Sequence, residues 1–160
     1  MLDIKKIKII KWDFNDTLCF YSDHTSPLDE FDTEYNVGVL LGKDVYSTCT
    51  MNYTIKRFID YAKRENKRQG LISGVDCFIH AKNKENWVKE HYGIELENYC
   101  VSSQEMKLGM LIAVTKAFGY ARDEILLVDD MCSNLERAAN NGFQAASPVE
   151  VINFVEELKL

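Results

Sequence analysis

Short apolar runs recur along the chain between longer stretches in which apolar and polar residues alternate. Runs this short, rich in β-branched residues and bounded by polar or turn residues, predict buried strands. The first run is interrupted only by Lys8 and Lys11, and the fourth is the most uniformly apolar. Five strands are predicted, over Ile7–Trp12, Gly70–Ser73, Tyr99–Val101, Ile125–Val128 and Phe143–Ala146.

Apolar residues between these runs recur at helical spacing. Ile55, Phe58, Ile59 and Ala62 follow an i, i+3, i+4, i+7 pattern, which predicts an amphipathic helix from Met51 to about Asn66. Glycine at a helix end and a serine followed by proline at a helix start mark the boundaries of the others. They are Lys82–Tyr92 before Gly93, a helix around Leu108–Thr115 ending at Gly119, one around Leu135–Ala139 ending at Gly142, and a last helix beginning at Ser147-Pro148-Val149-Glu150.

Alternation of strands and helices predicts an α/β fold, a doubly wound, Rossmann-like parallel sheet of about five strands with helices on both faces. The length of 160 residues fits a single domain over residues 1–160. Residues 19–50 break the pattern, because they are polar and aromatic and contain Pro27, Gly38 and Gly42. Within them, Val37–Leu41 and Val45–Thr48 predict a hairpin, and we expect the whole stretch to be a short flap inserted after the first strand.

Oxygen-bearing side chains stand where three of the predicted strands end. Asp13 follows the first strand, Ser73 closes the second, and Asp129 and Asp130 follow the fourth. In a doubly wound sheet, ligands bind beyond the carboxyl ends of the strands. Asp and Ser are also common where strands turn into loops, but a cluster of carboxylates at one edge suits Mg²⁺.

Composition narrows the function classes. A net charge of −6 disfavours a nucleic-acid groove. The five cysteines form no C-x-x-C pair, which favours free thiols in a reducing compartment. The amino terminus lacks the apolar run of a signal peptide, and no stretch approaches the ~18 apolar residues that a membrane span needs. We therefore expect a cytoplasmic protein without membrane or nucleic-acid partners.

Four short motifs resemble those of the haloacid dehalogenase-like superfamily of phosphatases, and they follow in the same order over most of the chain. The segment Asp13-Phe14-Asn15-Asp16-Thr17 resembles the opening D-x-D-x-T motif, and Ser73 resembles the second. Lys107 matches the lysine of the third motif, and Asp129-Asp130 with Asn134 resembles the fourth. The small insert makes the layout most similar to the capless, magnesium-dependent branch.

The resemblance implies a phosphohydrolase that forms an aspartyl-phosphate on Asp13. Mg²⁺ would be held by Asp13, Asp130 and a backbone carbonyl near Asn15, with Asp129 in the metal shell. A phosphorylated small molecule or phosphoprotein would be the substrate. Ser73 and Lys107 would bind its phosphoryl group. Thr17 and Asn134 are further expected substrate-binding residues, with Thr17 also fixing the loop after Asp13 and Asn134 orienting the metal shell.

Asn15 departs from the family motif, which has an aspartate at this position as general acid and base. An amide cannot exchange a proton with the leaving group or with water. Three interpretations remain open: an introduced substitution in an active phosphatase, a natural residue of a slow phosphatase or phosphotransferase, or a silent module that binds phosphate or a partner. Asp16 is expected to be a turn residue, and His24 in the insert is a weaker candidate proton donor.

Overall fold

The computed structural model describes residues 3–21, 37–38, 41–95 and 97–159. Its strands are β1 (Ile9–Trp12), β2 (Cys19–Tyr21), β3 (Cys49–Met51), β4 (Arg68–Gly74), β5 (Tyr99–Val101), β6 (Ile125–Val128) and β7 (Gln144–Ala146). Its helices are α1 (Tyr53–Arg64), α2 (Phe78–Tyr92), α3 (Glu105–Phe118), α4 (Cys132–Asn140) and α5 (Pro148–Glu157), with a 3₁₀ turn at Arg122–Glu124. No helix in the described part of the chain is long and apolar enough to cross a membrane.

The main sheet has five parallel strands in the order β5-β4-β1-β6-β7. The chain builds outward from β1 through β4 to β5, then crosses to β6 and β7 on the other side. The strand order therefore reverses beside β1, where doubly wound sheets bind their ligands. The predicted α/β fold is confirmed.

Helices cover both faces of this sheet, as predicted. On one face, Ile10 and Trp12 of β1 pack in a cluster with residues of α1, α2 and α5. On the other face, Ile9 belongs to a cluster with residues of α3 and α4. Strands buried on both sides need apolar residues at nearly every position, which explains why their sequences read as continuous apolar runs.

Local sequence explains where the helices begin and end. The Asn52 side chain accepts hydrogen bonds from the backbone N–H groups of Thr54 and Ile55, each at 3.1 Å, and so caps α1. Gly93 adopts a left-handed conformation (φ 63°) after α2, a geometry that favours glycine. Ser147 caps α5 in a reciprocal capping box with Glu150.

The two ends of the insert pair with each other. β2 and β3 form an antiparallel two-stranded sheet, in which Cys19 lies across from Met51 and Tyr21 from Cys49. The predicted hairpin of Val37–Leu41 with Val45–Thr48 is wrong for the residues that the structure describes, since 37–38 are helical and 45–48 form a turn. Most of the predicted flap, with His24, lies outside the described residues.

Candidate active site

The register of the sheet places Asp13 and Asp129 side by side. β1 and β6 pair with Trp12 across from Val128, and each strand is followed by its aspartate. The backbone N–H of Asp13 donates to the carbonyl of Val128 at 2.8 Å, which continues the ladder one residue past β1. Both aspartates are buried, so two carboxylates meet at the carboxyl edge of the sheet.

Lys107, in the first turn of α3, joins these two carboxylates. Its Nζ lies 2.8 Å from Asp13 Oδ1 and 2.7 Å from Asp129 Oδ2. Burial alone would lower the pKa of Lys107, but the two carboxylates outweigh it and raise that pKa above its ordinary value. The lysine is therefore a fixed positive charge between them.

Asn134 and the loop after β6 hold Asp129 in place. The Asn134 Nδ2 group donates to both carboxylate oxygens of Asp129, at 3.0 and 3.1 Å, and the backbone N–H of Met131 donates to Oδ1 at 3.0 Å. Burial and the Asp13 carboxylate raise the pKa of Asp129. With Lys107 on Oδ2, these contacts orient the carboxylate of Asp129.

Asp13, Asp129 and Asp130 form a cluster that could hold a metal ion, since each offers a carboxylate oxygen within 4.8 Å of the others. Burial and the carboxylates of Asp13 and Asp129 raise the pKa of Asp130 to about 6. Asn15 lies near them, and its Oδ1 is buried and accepts no hydrogen bond within the described part of the chain. Hard oxygen donors that repel one another fit Mg²⁺.

A cleft of about 440 Å³ opens beside this cluster. Asp13, Asn15, Asp16 and Asp130 line it together with Ser73 from the end of β4. Lys107, Asp129 and Asn134 are buried and do not line it, and substrate-binding roles for Lys107 and Asn134 stay predictions. The remaining lining residues come from the ends of β4 and β5, the first half of α2 and the loop after β6: Gly74, Val75, Asp76, His80, Lys84, Ser102, Ser103, Gln104 and Met131.

Thr17 lies apart from the cleft. Its side chain is fully buried, and its Oγ1 has no hydrogen-bond partner in the described ranges. The turn around it is held by Phe14, whose carbonyl accepts from the N–H groups of Leu18 and Cys19 at 2.9 and 3.0 Å. Asp16 adopts a left-handed conformation (φ 54°) in this turn, as expected of a turn residue, and it also lines the cleft. A substrate-binding role for Thr17 stays a prediction.

Lys84 was missed by the sequence reasoning. Its Nζ donates to Ser73 Oγ at 3.0 Å and to the carbonyl of Gly74 at 2.8 Å, and its side chain is buried in the wall of the cleft. A signal did exist in the sequence. Lys84 shares one face of α2 with Trp87 and Val88. A lysine on the apolar face of a helix is uncommon unless its charge interacts with a partner, so this position indicated a special role.

His80, on the same helix, was missed as well. Its Nε2 is hydrogen-bonded to the Tyr46 hydroxyl, and its Nδ1 lies 3.3 Å from the backbone N–H and from the carboxylate of Asp76. Burial and the nearby Lys84 charge lower the pKa of His80 to about 4. At neutral pH the imidazole is therefore uncharged and links the start of α2 to Tyr46.

No family model matches the chain, and no curated protein matches it in sequence. Solved structures do match. A HAD family enzyme from Bacteroides thetaiotaomicron has a TM-score of 0.59 at 16% identity, over 95% of this chain and 98% of that one. Its complex with magnesium and inorganic phosphate matches with a TM-score of 0.56 at 17% identity, over 88% and 93%.

A phosphatase is among the matches too. The cobalt-bound deoxy-D-mannose-octulosonate 8-phosphate phosphatase of Haemophilus influenzae matches with a TM-score of 0.56 at 12% identity, over 89% of this chain and 69% of that one. At these identities the likeness establishes a shared fold.

Proposed function

We propose that this chain, which has the haloacid dehalogenase-like fold, hydrolyses phosphate monoesters with Mg²⁺ and with Asp13 as nucleophile. The observation that carries the proposal is the position of Asp13. Its carboxylate ends the central strand, is paired with Lys107 at 2.8 Å, and lines a cleft shared with Ser73. The magnesium and phosphate complexes of the Bacteroides thetaiotaomicron enzyme support this choice of metal and ligand.

Asp13, Asp130 and an oxygen of Asn15 would hold the metal, with Asp129 oriented next to them by Asn134 and Lys107. Mg²⁺, when bound, supplies positive charge between an anionic nucleophile and a phosphoryl group. Without such charge, the three clustered carboxylates would repel a phosphate ester.

The reaction would proceed in two displacements. An oxygen of Asp13 attacks phosphorus while the bond from phosphorus to the ester oxygen breaks, which gives an aspartyl-phosphate and an alkoxide that takes a proton from water. Water then attacks phosphorus, the bond to Asp13 breaks, and inorganic phosphate leaves. Lys107 stabilises Asp13, and the Ser73 hydroxyl, which accepts from Lys84, keeps its own O–H free to donate to a phosphoryl oxygen.

Asn15 weakens this machinery, because its amide cannot protonate the departing alkoxide or activate water. We therefore expect slow turnover, with the largest deficit for alkyl esters, whose leaving groups need a proton. The same residue favours a second candidate, a catalytically silent module that binds phosphate or a phosphorylated partner. A phosphotransferase, in which another acceptor replaces water, would use the same first step.

Paired kinetics on the protein and its Asn15→Asp variant test the proposal. A positioned acid–base group contributes about a hundredfold to ten-thousandfold in rate, so phosphate release from an alkyl phosphate should rise within that range. Release from an aryl phosphate should rise less. Asp13→Asn is the control, and it should abolish release in both backgrounds.

Two results would contradict the proposal. Turnover that survives Asp13→Asn would exclude the covalent route. No gain from Asn15→Asp on any ester, in a variant with unchanged fold and Mg²⁺ affinity, would favour the binding module.

A further inference from the structure

A second lysine, Lys84, stands at the cleft without an ion-pair partner among the described residues, and the more distant Asp13 carboxylate offsets its burial only in part. Lys84 is 3% exposed, and its ammonium donates to two neutral oxygens, Ser73 Oγ at 3.0 Å and the Gly74 carbonyl at 2.8 Å. Within residues 3–21, 37–38, 41–95 and 97–159, no carboxylate oxygen lies within ion-pair distance of its Nζ. Lys107, by contrast, has two such partners.

Besides the distant Asp13 carboxylate, two aromatic rings lie near the Lys84 ammonium. Its Nζ lies 5.2 Å from the centroid of the Phe14 ring and 5.8 Å from that of Tyr46, so aromatic rings cover part of it. An ammonium has three N–H groups, and the two hydrogen bonds above use two of them. Buried charges are normally paired, so a buried lysine in a cleft wall, with a donor that the described residues leave unused, is suited to bind an anion that enters the cleft.

We propose that Lys84 is a second cationic ligand of the phosphoryl group and binds it jointly with Ser73. This inference rests on the proposed function, which puts the phosphoryl group beside Ser73. The hydroxyl of Ser73 accepts from Lys84, which orients it to donate in turn to a phosphoryl oxygen. Lys84 thereby binds the phosphate directly and sets the direction of the serine hydrogen bond.

The net charge of the site also favours a second cation at the bound phosphate. The carboxylates of Asp13, Asp129 and Asp130 with the single cation Lys107 leave an excess of two negative charges. A bound Mg²⁺ cancels that excess, so a phosphate dianion would bring the site back to two negative charges. Lys84 halves this remainder, and it does so from the Ser73 side of the cleft.

The test is binding of inorganic phosphate, measured by calorimetry on the whole protein with saturating Mg²⁺. Lys84→Met should weaken phosphate binding by about tenfold to hundredfold, the effect of losing one charge-assisted hydrogen bond. Lys82→Met is the matched control, because Lys82 lies on the same helix, is exposed, and pairs only with Glu85 among the described residues. It should leave the affinity unchanged.

Stability without phosphate distinguishes a ligand from a structural lysine. Burial lowers the pKa of Lys84 to about 8, so without a bound anion the charged ammonium is disfavoured in the folded protein. Without phosphate, the melting temperature of Lys84→Met should therefore equal or exceed that of the native protein. Adding phosphate should raise the melting temperature less in Lys84→Met than in the native protein. A variant that loses stability without phosphate and keeps its phosphate affinity would overturn the inference, as would a wild-type protein that binds no phosphate.

A second measurement needs no variant. Acetylation of lysines, mapped by mass spectrometry, should slow at Lys84 and not at Lys82 when phosphate and Mg²⁺ are added. A Lys84 that is labelled without phosphate, and labelled equally fast with it, would overturn the inference. Ester hydrolysis is assayed separately: a wild-type protein with no turnover, but with phosphate binding that depends on Lys84, would refute the proposed function and support this inference.

Discussion

Lys11 is a charged residue in the middle of the central strand. Its side chain is fully buried, its Nζ donates to the carbonyl of Glu97 at 2.6 Å, and it lies 4.3 Å from the centroid of the Tyr99 ring. The Glu97 carboxylate approaches only to 3.9 Å. Burial outweighs this attraction and lowers the pKa of Lys11 from 10.5 to about 8.

That change in pKa sets the size of a stability effect. It corresponds to roughly 3 kcal/mol by which folding disfavours the ammonium at pH 7. Lys11→Met keeps an unbranched side chain that is one atom shorter and removes the charge, but it also removes the hydrogen bond to Glu97, worth about 1 kcal/mol. The free energy of unfolding at pH 7 should therefore increase by about 2 kcal/mol.

The assay is urea unfolding of the protein, Lys11→Met and Lys8→Met between pH 7 and about 10.5. Lys8 is exposed just before β1, so Lys8→Met should change stability by less than about 0.5 kcal/mol. Between pH 8 and 10.5 the unfolded chain holds more protons on Lys11 than the folded one, so the native protein gains stability relative to Lys11→Met as pH rises.

The advantage of Lys11→Met should thus shrink across this window and disappear near its upper end. Two results would refute the reasoning. One is an unfolding free energy at pH 7 no higher than that of Lys8→Met. The other is an advantage that does not change with pH, which would mean that lost charge is not its cause.

Two further predictions concern the carboxylate cluster. Lys107→Met would leave Asp13 and Asp129 buried without their cation and should lower the metal-free unfolding free energy by about 3–5 kcal/mol; a loss as small as that of Lys116→Met, an exposed position on the same helix, would contradict this. Because the pKa of Asp130 is raised to about 6, protons should compete with Mg²⁺ below that pH, and calorimetric Mg²⁺ affinity should fall on acidification from about pH 7 to 5. Asp130→Ala should weaken binding and flatten this profile, and a flat profile for the native protein would place the metal elsewhere.

The fold could be predicted because strands buried on both faces of the sheet appear in the sequence as continuous apolar runs. Tyr99–Val101 and Ile125–Val128 were predicted with the bounds that the structure has. Helix α2 was predicted to begin at Lys82 but begins at Phe78. Phe78 and Ile79 are exposed, at 82% and 49%, so the first turn of α2 carries its apolar residues on the solvent side and shows no amphipathic pattern.

The insert could not be predicted in the same way, because its order comes from distant residues. β2 pairs with β3 across a separation of about thirty residues, and each strand has only three residues, too few for a sequence pattern to identify it as a strand. The Tyr92 hydroxyl, at the end of α2, donates to the carbonyl of Leu18 at 2.6 Å and accepts from the Asn52 N–H at 2.9 Å. Such bonds hold both ends of the insert to the end of α2, and no local pattern encodes them.

The residues of the candidate site also differ in how far the sequence could predict them. Asp13, Ser73, Asp129 and Asp130 were predictable because each follows a recognisable strand, and strand ends meet at one edge of a parallel sheet. Lys84 comes instead from the middle of a helix, and its place at the cleft depends on how α2 packs. A helix position shows which face is buried, whereas only the three-dimensional structure shows that this face also borders a cleft.

Core packing and site geometry are coupled through the register of the central strand. Asp13 stands beside Asp129 because Trp12 pairs with Val128, and Trp12 is fully buried among α1 residues, with its ring 5.9 Å from that of Phe58. A slip of β1 by one residue would turn Trp12 to the other face of the sheet, where Lys11 now lies, and would bury the lysine among the residues around Phe58. The hydrophobic core therefore excludes this alternative register, and through it the core fixes the distance from Asp13 to Lys107 on which the proposed chemistry depends.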